Sequence, residues 1–111
     1  MTTVVHVRTV RDRLKAGDPD IVYIGRAMPR QRLPESMWAN PYKIGAAPDE
    51  TREYCIAQYR AYIVALLSGE SSTAAEWWQD QLRMLRGKTL ACWCKPDACH
   101  GDVLAELAET A

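Results

Sequence analysis

Residues 89–94, TLACWC, form a short apolar run that Lys95-Pro96 interrupts, and an amphipathic helix follows at once. That helix is expected to begin at Asp97 or Cys99 and to reach about Glu109, with Val103, Leu104 and Leu107 turned inward. A strand that feeds directly into such a helix buries both elements best as part of a sheet with helices packed on it. With 111 residues, 48% hydrophobic and 25% charged, the chain can build that core without staples.

The upstream sequence supplies the remaining parts. Residues 3–8 (TVVHVR) read as a first strand, and residues 9–15 as one helical turn or a loop. Gly17-Asp18-Pro19-Asp20 is a turn cluster. Residues 21–24 (IVYI) read as a second, buried strand that Gly25-Arg26 ends. Residues 27–47 are irregular, broken by Pro29, Pro34 and Pro41 and ended by Gly45. A loop that long in a compact domain is often functional. It carries Arg30, Arg32, Asn40 and Lys43, groups able to hold an anion, and Trp38 and Tyr42, able to pin it to the body.

A helix capped by Asp49 or Thr51 is expected to run to about Ser68, burying Cys55, Tyr59, Tyr62, Ile63, Leu66 and Leu67. Thr73-Ala74-Ala75-Glu76 fits a capping box for another helix, with Trp78, Leu82 and Leu85 on its core face and Gly87 after it. The order β-β-loop-α-α-β-α describes one α/β domain over residues 1–111. Its sheet has about three strands or more, at least partly parallel, and is covered by helices.

Chemistry concentrates in the last strand and helix. Alternation puts Cys92 and Cys94 on one face of the strand and Trp93 on the other. Cys94 ends the strand, and open α/β sheets bind ligands beyond their carboxyl ends. Cys99, His100 and Gly101 open the final helix, where free amides and the dipole favour negative charge, lower a thiol pKa and keep an imidazole neutral. Asp102 follows as a further polar group.

Gly25 permits a sharp turn or a close approach to a ligand, and Arg26 is a natural fork for phosphate or carboxylate. If the two strands run the same way, Arg26 and Cys94 open on one edge. The residue set for a catalytic or binding site is therefore Cys94, Cys99, His100 and Asp102 for chemistry. Gly25, Arg26, Asn40, Lys43 and Gly101 are the set for ligand contact.

Three readings of the Cys-His segment stand side by side. In the first, Cys92 is a small buried hydrophobe and His100 a polar helix start. In the second, Cys92, Cys94, Cys99 and His100 ligate zinc, although C-x-C-x4-C-H is not a usual knuckle spacing. In the third, the site is metal-free and holds a polar ligand or a nucleophile. Plainer readings apply elsewhere: a surface ion pair for Arg26, loop architecture for Asn40-Pro41, a satisfied strand residue for His6.

Tyr54, Tyr59 and Tyr62 belong to the helix rather than to a base-stacking platform. The N-terminus lacks the plan of a secretory signal, so free thiols and a cytoplasmic setting are expected. No apolar run is long enough to span a bilayer. Zero net charge argues against sequence-independent nucleic-acid binding and leaves an anionic small molecule as the expected partner.

Tyr23-Ile24-Gly25-Arg26, the stretch from Trp38-Ala39-Asn40-Pro41-Tyr42-Lys43 to Gly45, Thr51-Arg52-Glu53 and Tyr59-Arg60 form a recognisable set. So does the run from Leu85-Arg86-Gly87-Lys88 through Cys92-Trp93-Cys94-Lys95-Pro96 to Cys99-His100-Gly101-Asp102. In these the chain resembles the domain of unknown function 4326 family, small proteins of bacteria and phages. The family pattern more often has Gly where this chain has Ala39, and residues 28–33 fit it loosely.

The resemblance implies membership and no activity. The strand–Cys–loop–Cys-His–helix ending is also similar to the domain of unknown function 488 proteins at the level of fold. Three functions follow as expectations. The first is a binding domain or enzyme for a phosphate-bearing or nucleoside-like molecule. The second is a zinc-stabilised accessory domain for protein or nucleic acid. The third is a phage-type host-interaction protein without catalysis.

Overall fold

A computed structural model describes residues 1–45, 51–69 and 73–111. Three short strands, β1 (Thr3–His6), β2 (Ile21–Tyr23) and β3 (Thr89–Cys92), form a wholly parallel sheet in the order β1-β3-β2. The last strand in sequence takes the centre. It pairs with β1 from Thr3↔Thr89 to His6↔Cys92 and with β2 from Ile21↔Thr89 to Tyr23↔Ala91. Leu90, Ala91 and Cys92 are all buried, and an all-apolar strand suits a position covered on both faces and both edges.

Among the described residues four helices accompany the sheet: α1 (Arg11–Lys15), α2 (Arg52–Leu67), α3 (Thr73–Met84) and α4 (His100–Thr110). The expected α/β order holds, with residues 11–15 a short helix of their own. Thr51, one of the two expected caps of α2, accepts from the Tyr54 amide at 3.2 Å. The alternative, Asp49, lies outside the described residues. Thr73 is the first residue of α3 and not its cap. Leu82 and Leu85 are buried as the spacing predicts, and Ala75 joins them.

Alternation along β3 divides the interior. Leu90 and Cys92 face the larger core, where Ile24, Tyr59, Ile63, Leu82, Val103 and Leu104 meet beneath α2, α3 and α4. Ala91 and Trp93 face a smaller cluster of Val7, Val10 and Ile21 on the α1 side. Burying a Leu or Ile side chain contributes about 1.5–3 kcal/mol, so the three-helix face carries most of the stability.

All three strands end earlier than the sequence suggests, β2 at Tyr23 and not Ile24. β1 stops at His6, not Arg8. There the Thr9 hydroxyl donates to the His6 carbonyl (2.7 Å) and the Arg8 amide to His6 Nδ1 (3.1 Å), closing a 3-10 turn over Val7–Thr9. β3 stops at Cys92, not Cys94. Its neighbours end at His6 and Tyr23, and the Asp97 amide donates back to the Cys94 carbonyl (2.9 Å) to make a turn. Cys94 thus sits just past the sheet. Among the described residues no helix is long and apolar enough to cross a membrane.

Candidate functional site

Parallel strands send all their carboxyl ends to one edge, and a pocket of about 550 Å³ opens there. Gly25, Arg26, Asn40, Lys43, Cys94, Cys99 and His100 all line it, as does Cys92. Met28, Ile44, Ile56 and Trp93 give it apolar walls. The volume falls within the ~300–1,000 Å³ typical of small-molecule sites. Among the described residues its charged lining side chains are Arg26, Lys43 and Arg52, and no carboxylate lines it.

The long loop is held over the pocket from several sides. The buried Tyr59 hydroxyl donates to the Trp38 carbonyl (2.7 Å), and Trp38 packs edge-on against Trp78. Tyr42 meets Tyr62 in the same way. Asn40 Oδ1 accepts from the Tyr42 amide (2.9 Å), so its side chain shapes the loop. Arg26 donates from Nε and Nη2 to the Asn40 carbonyl (3.1 and 2.9 Å) and from Nη2 to that of Tyr42 (3.4 Å). It is therefore a strap for the loop, and Nη1 is its remaining donor end. Lys43 is exposed and has no ion-pair or hydrogen-bond partner among the described residues.

Gly25 serves a close approach, but to protein. The Tyr23 ring folds over it so that its hydroxyl donates to the Arg26 carbonyl and accepts from Trp93 Nε1 (2.9 Å). A Cβ at Gly25 would lie 2.4 Å from that hydroxyl oxygen.

The start of α4 differs from the open, anion-ready helix end that the sequence suggests. Cys99 is the N-cap: its Sγ accepts from the Gly101 amide (3.3 Å), and Asp102 Oδ2 accepts from the Cys99 amide (3.0 Å). This is a capping box with a thiol where Ser or Thr usually stands. Asp102 also meets Lys95 Nζ at 2.6 Å. Gly101 is buried against the sheet, where a Cβ would come within 2.7 Å of Ile24 Cδ1. Gly101 and Asp102 therefore build the helix end and do not line the pocket.

His100 is nine-tenths buried under the Tyr59 ring. Its Nε2 lies 2.8 Å from the Ile24 carbonyl, which can only accept, so Nε2 carries the proton and Nδ1 faces Cys99 Sγ at 3.6 Å. Burial pushes its pKa down, outweighing the Ile24 hydrogen bond.

The three thiols of this end divide their roles. Cys92 and Cys99 are buried and pushed up, so they stay protonated. Cys94 is half-buried and pushed down: the neighbouring Cys92 and Cys99 thiols favour its charged form, and the Arg52 guanidinium beside it adds to this. Among the described residues no group of three or more His, Cys, Asp or Glu side chains is arranged to hold a metal ion.

Arg52 was not singled out as a site residue from the sequence. It is the first residue of α2, where a cation opposes the helix dipole, and that anomaly is the signal that marks it. Its Nη1 donates to the Ala98 carbonyl (3.0 Å), and Nη2 lies 3.7 Å from Asp97, which fixes it against the turn that carries Cys94.

No solved structure matches the chain. It is 38% identical over 58 residues to an uncharacterised 12.4 kDa protein of Enterobacteria phage T4, encoded in the nrdA-td intergenic region. That match takes in 51% of this chain and 48% of the relative, so it spans about half of that protein's length. The family model described as Domain of unknown function (DUF4326) matches residues 7–110, from the turn after β1 to the last turn of α4, and the chain belongs to that family.

Proposed function

We propose that the pocket binds an anionic small molecule, phosphate-bearing or nucleoside-like, and that the Cys94 thiolate is the group that contacts it. One observation carries this reading: among the described residues three cationic side chains and no carboxylate line a pocket around a half-buried thiol that its neighbours favour as thiolate. A thiolate is the nucleophilic form of cysteine, and the neighbouring Cys92 and Cys99 thiols stay protonated, so they add no competing charge.

Lys43 and the free Nη1 of Arg26 meet the ligand's charge, while Arg52 keeps the thiolate in place. The apolar walls suit a flat organic body. In this reading His100 is a positioning residue, because its Nε2 is held by Ile24 and its Nδ1 faces Cys99. Zinc is the competing use of Cys92, Cys94, Cys99 and His100. It would require His100 to leave the Ile24 carbonyl or to bind through Nδ1.

Iodoacetamide alkylation followed by peptide mass mapping tests the proposal. Cys94 is expected to react first, with a midpoint below the ordinary thiol value of about 8.5, and a nucleoside monophosphate is expected to slow the reaction. Uniform reactivity of the thiols, or no protection by nucleoside monophosphate and inorganic phosphate alike, would remove the reading.

A further inference from the structure

Charge is divided unevenly along this neutral chain. Residues 1–45 hold eight Lys and Arg against four Asp and Glu, and the remainder holds six against ten. Five of the eight cations of residues 1–45 line two neighbouring hollows, and Arg8, Arg11 and Arg13 line another. Beside the pocket lies a second hollow of about 590 Å³, lined by Lys15, Tyr23, Arg30 and Arg32 with Glu35 as its only acidic side chain among the described residues. The wall between the two hollows is a single tight loop closed by the antiparallel Met28↔Leu33 bridge. Met28 faces the pocket and Leu33 faces the second hollow.

Arg30 and Arg32 stand on that loop, exposed, and Lys15 is exposed opposite them. None of the three has an ion-pair or side-chain hydrogen-bond partner among the described residues. Many other cations are paired, as in Arg13–Asp18, Arg60–Glu106, Lys88–Asp20 and Lys95–Asp102, whereas Arg8 and Arg11, also without such a partner among the described residues, line a separate hollow. Among the described residues six cations therefore face one carboxylate across the two hollows.

A lone small anion needs only the cations of the pocket. The unpaired set beyond the loop calls for a ligand whose negative charges repeat. We infer that the pocket takes one nucleotide of a single-stranded polynucleotide, whose neighbouring phosphates lie across the Arg30 loop toward Lys15 and Arg32. This deepens the reading above and rests on it for the nucleotide in the pocket. Guanidinium groups suit repeated phosphates, and a single strand leaves its bases free to turn into an apolar-walled hollow, which a stacked duplex does not. An acidic peptide offers repeated charge too, but it gives the apolar pocket next to the basic loop no flat body to hold. Zero net charge does not oppose this inference, because the relevant field is local.

The test is fluorescence anisotropy of a labelled oligothymidylate of about ten nucleotides, against the full chain and the Lys15→Gln/Arg30→Gln variant. Both residues are exposed, and Arg32, whose φ of 55° is left-handed, is left untouched. The variant is expected to bind the strand about tenfold more weakly at low salt. Its slope of log K against log salt should be smaller by about 1.4, from ~0.7 per phosphate contact on single strands. Protection of Cys94 by a nucleoside monophosphate should be unchanged in the same variant.

Equal strand binding by variant and wild type overturns the inference. So does displacement of the strand by oligoglutamate as readily as by unlabelled oligonucleotide. If the strand binds as expected while no mononucleotide protects Cys94, the basic face stands and the pocket reading falls. Circular dichroism of the variant matching wild type confirms that a loss reports binding and not folding.

Discussion

Replacing Gly25 by Ala probes the junction between β2 and the pocket. Gly25 has no left-handed φ, so alanine meets no backbone penalty there and the whole effect is steric. The added Cβ would lie 2.4, 2.6 and 2.9 Å from Oη, Cζ and Cε1 of Tyr23, distances no packed methyl tolerates. The ring has to swing away, giving up its hydrogen bonds to the Arg26 carbonyl and from Trp93 Nε1. Two such bonds contribute about 1 kcal/mol each, and displacing a packed ring adds about 1 kcal/mol more.

A loss of roughly 2–4 kcal/mol is expected, or about 10 °C in Tm at ~4 °C per kcal/mol. Urea unfolding followed by circular dichroism measures it. The decisive comparison is a double-mutant cycle with Tyr23→Leu, which removes the obstructing ring. In that background Gly25→Ala should cost less than about 1 kcal/mol. A cost below about 0.5 kcal/mol in the wild type, or additivity of the two substitutions, would refute the account of Gly25 as room for Tyr23.

Other outcomes follow from the same geometry. Cys92→Ala removes the largest support for the Cys94 thiolate and should raise the pH at which Cys94 alkylates more than Arg52→Gln does; the reverse order contradicts the assigned causes. Tyr59→Phe leaves the Trp38 carbonyl without its buried donor and should cost about 1–2 kcal/mol by urea unfolding, a shift under 0.5 kcal/mol counting against that bond. Because burial depresses the His100 pKa, the unfolded chain takes up the proton first. Stability is full above the ordinary imidazole value of about 6.5 and falls as pH drops below it. His100→Gln should flatten the loss between pH 7 and 5, and an unchanged acid limb would exclude His100 as its source. Dialysis against a chelator should leave Tm within about 1 °C, whereas a large drop would favour the zinc use of the thiols.

Much of the architecture is readable from local pattern. The runs at 3–8, 21–24 and 89–94 and the helical spacing of Tyr59, Ile63, Leu82 and Leu104 suffice for a parallel sheet under helices. The rule that parallel strands share a carboxyl edge then brings Arg26 and Cys94 to one pocket. Strand ends are less legible, because Cys94 has the right residue type for a strand and lacks only a partner to pair with.

Arg26 shows the limit on the site side. Its donors go to the Asn40 and Tyr42 carbonyls, and no local rule tells where a twenty-residue loop passes. Arg52 reaches Ala98 across 46 residues, a contact that the tertiary fold alone creates. Cys99 and Asp102 had the spacing of a capping box in plain view, masked because sulfur is a weak acceptor and is seldom found at that position.

The capped start of α4 shifts the electrostatics of the pocket onto side chains. With the Cys99 and Gly101 amides bonded to Asp102 and Sγ of Cys99, the helix end offers a bound anion little. Attraction then depends on Arg26, Lys43 and Arg52, and one of these, Arg52, is partly offset by Asp97. A thiolate at Cys94 adds one negative charge to that set, so the lining stays net positive only while Cys92 and Cys99 hold their protons. Their burial enforces that state. The same burial that makes Cys92 and Cys99 inert therefore allows Cys94 to be charged beside an anionic ligand, and it connects the packing of β3 and α4 to the chemistry proposed at the sheet's edge.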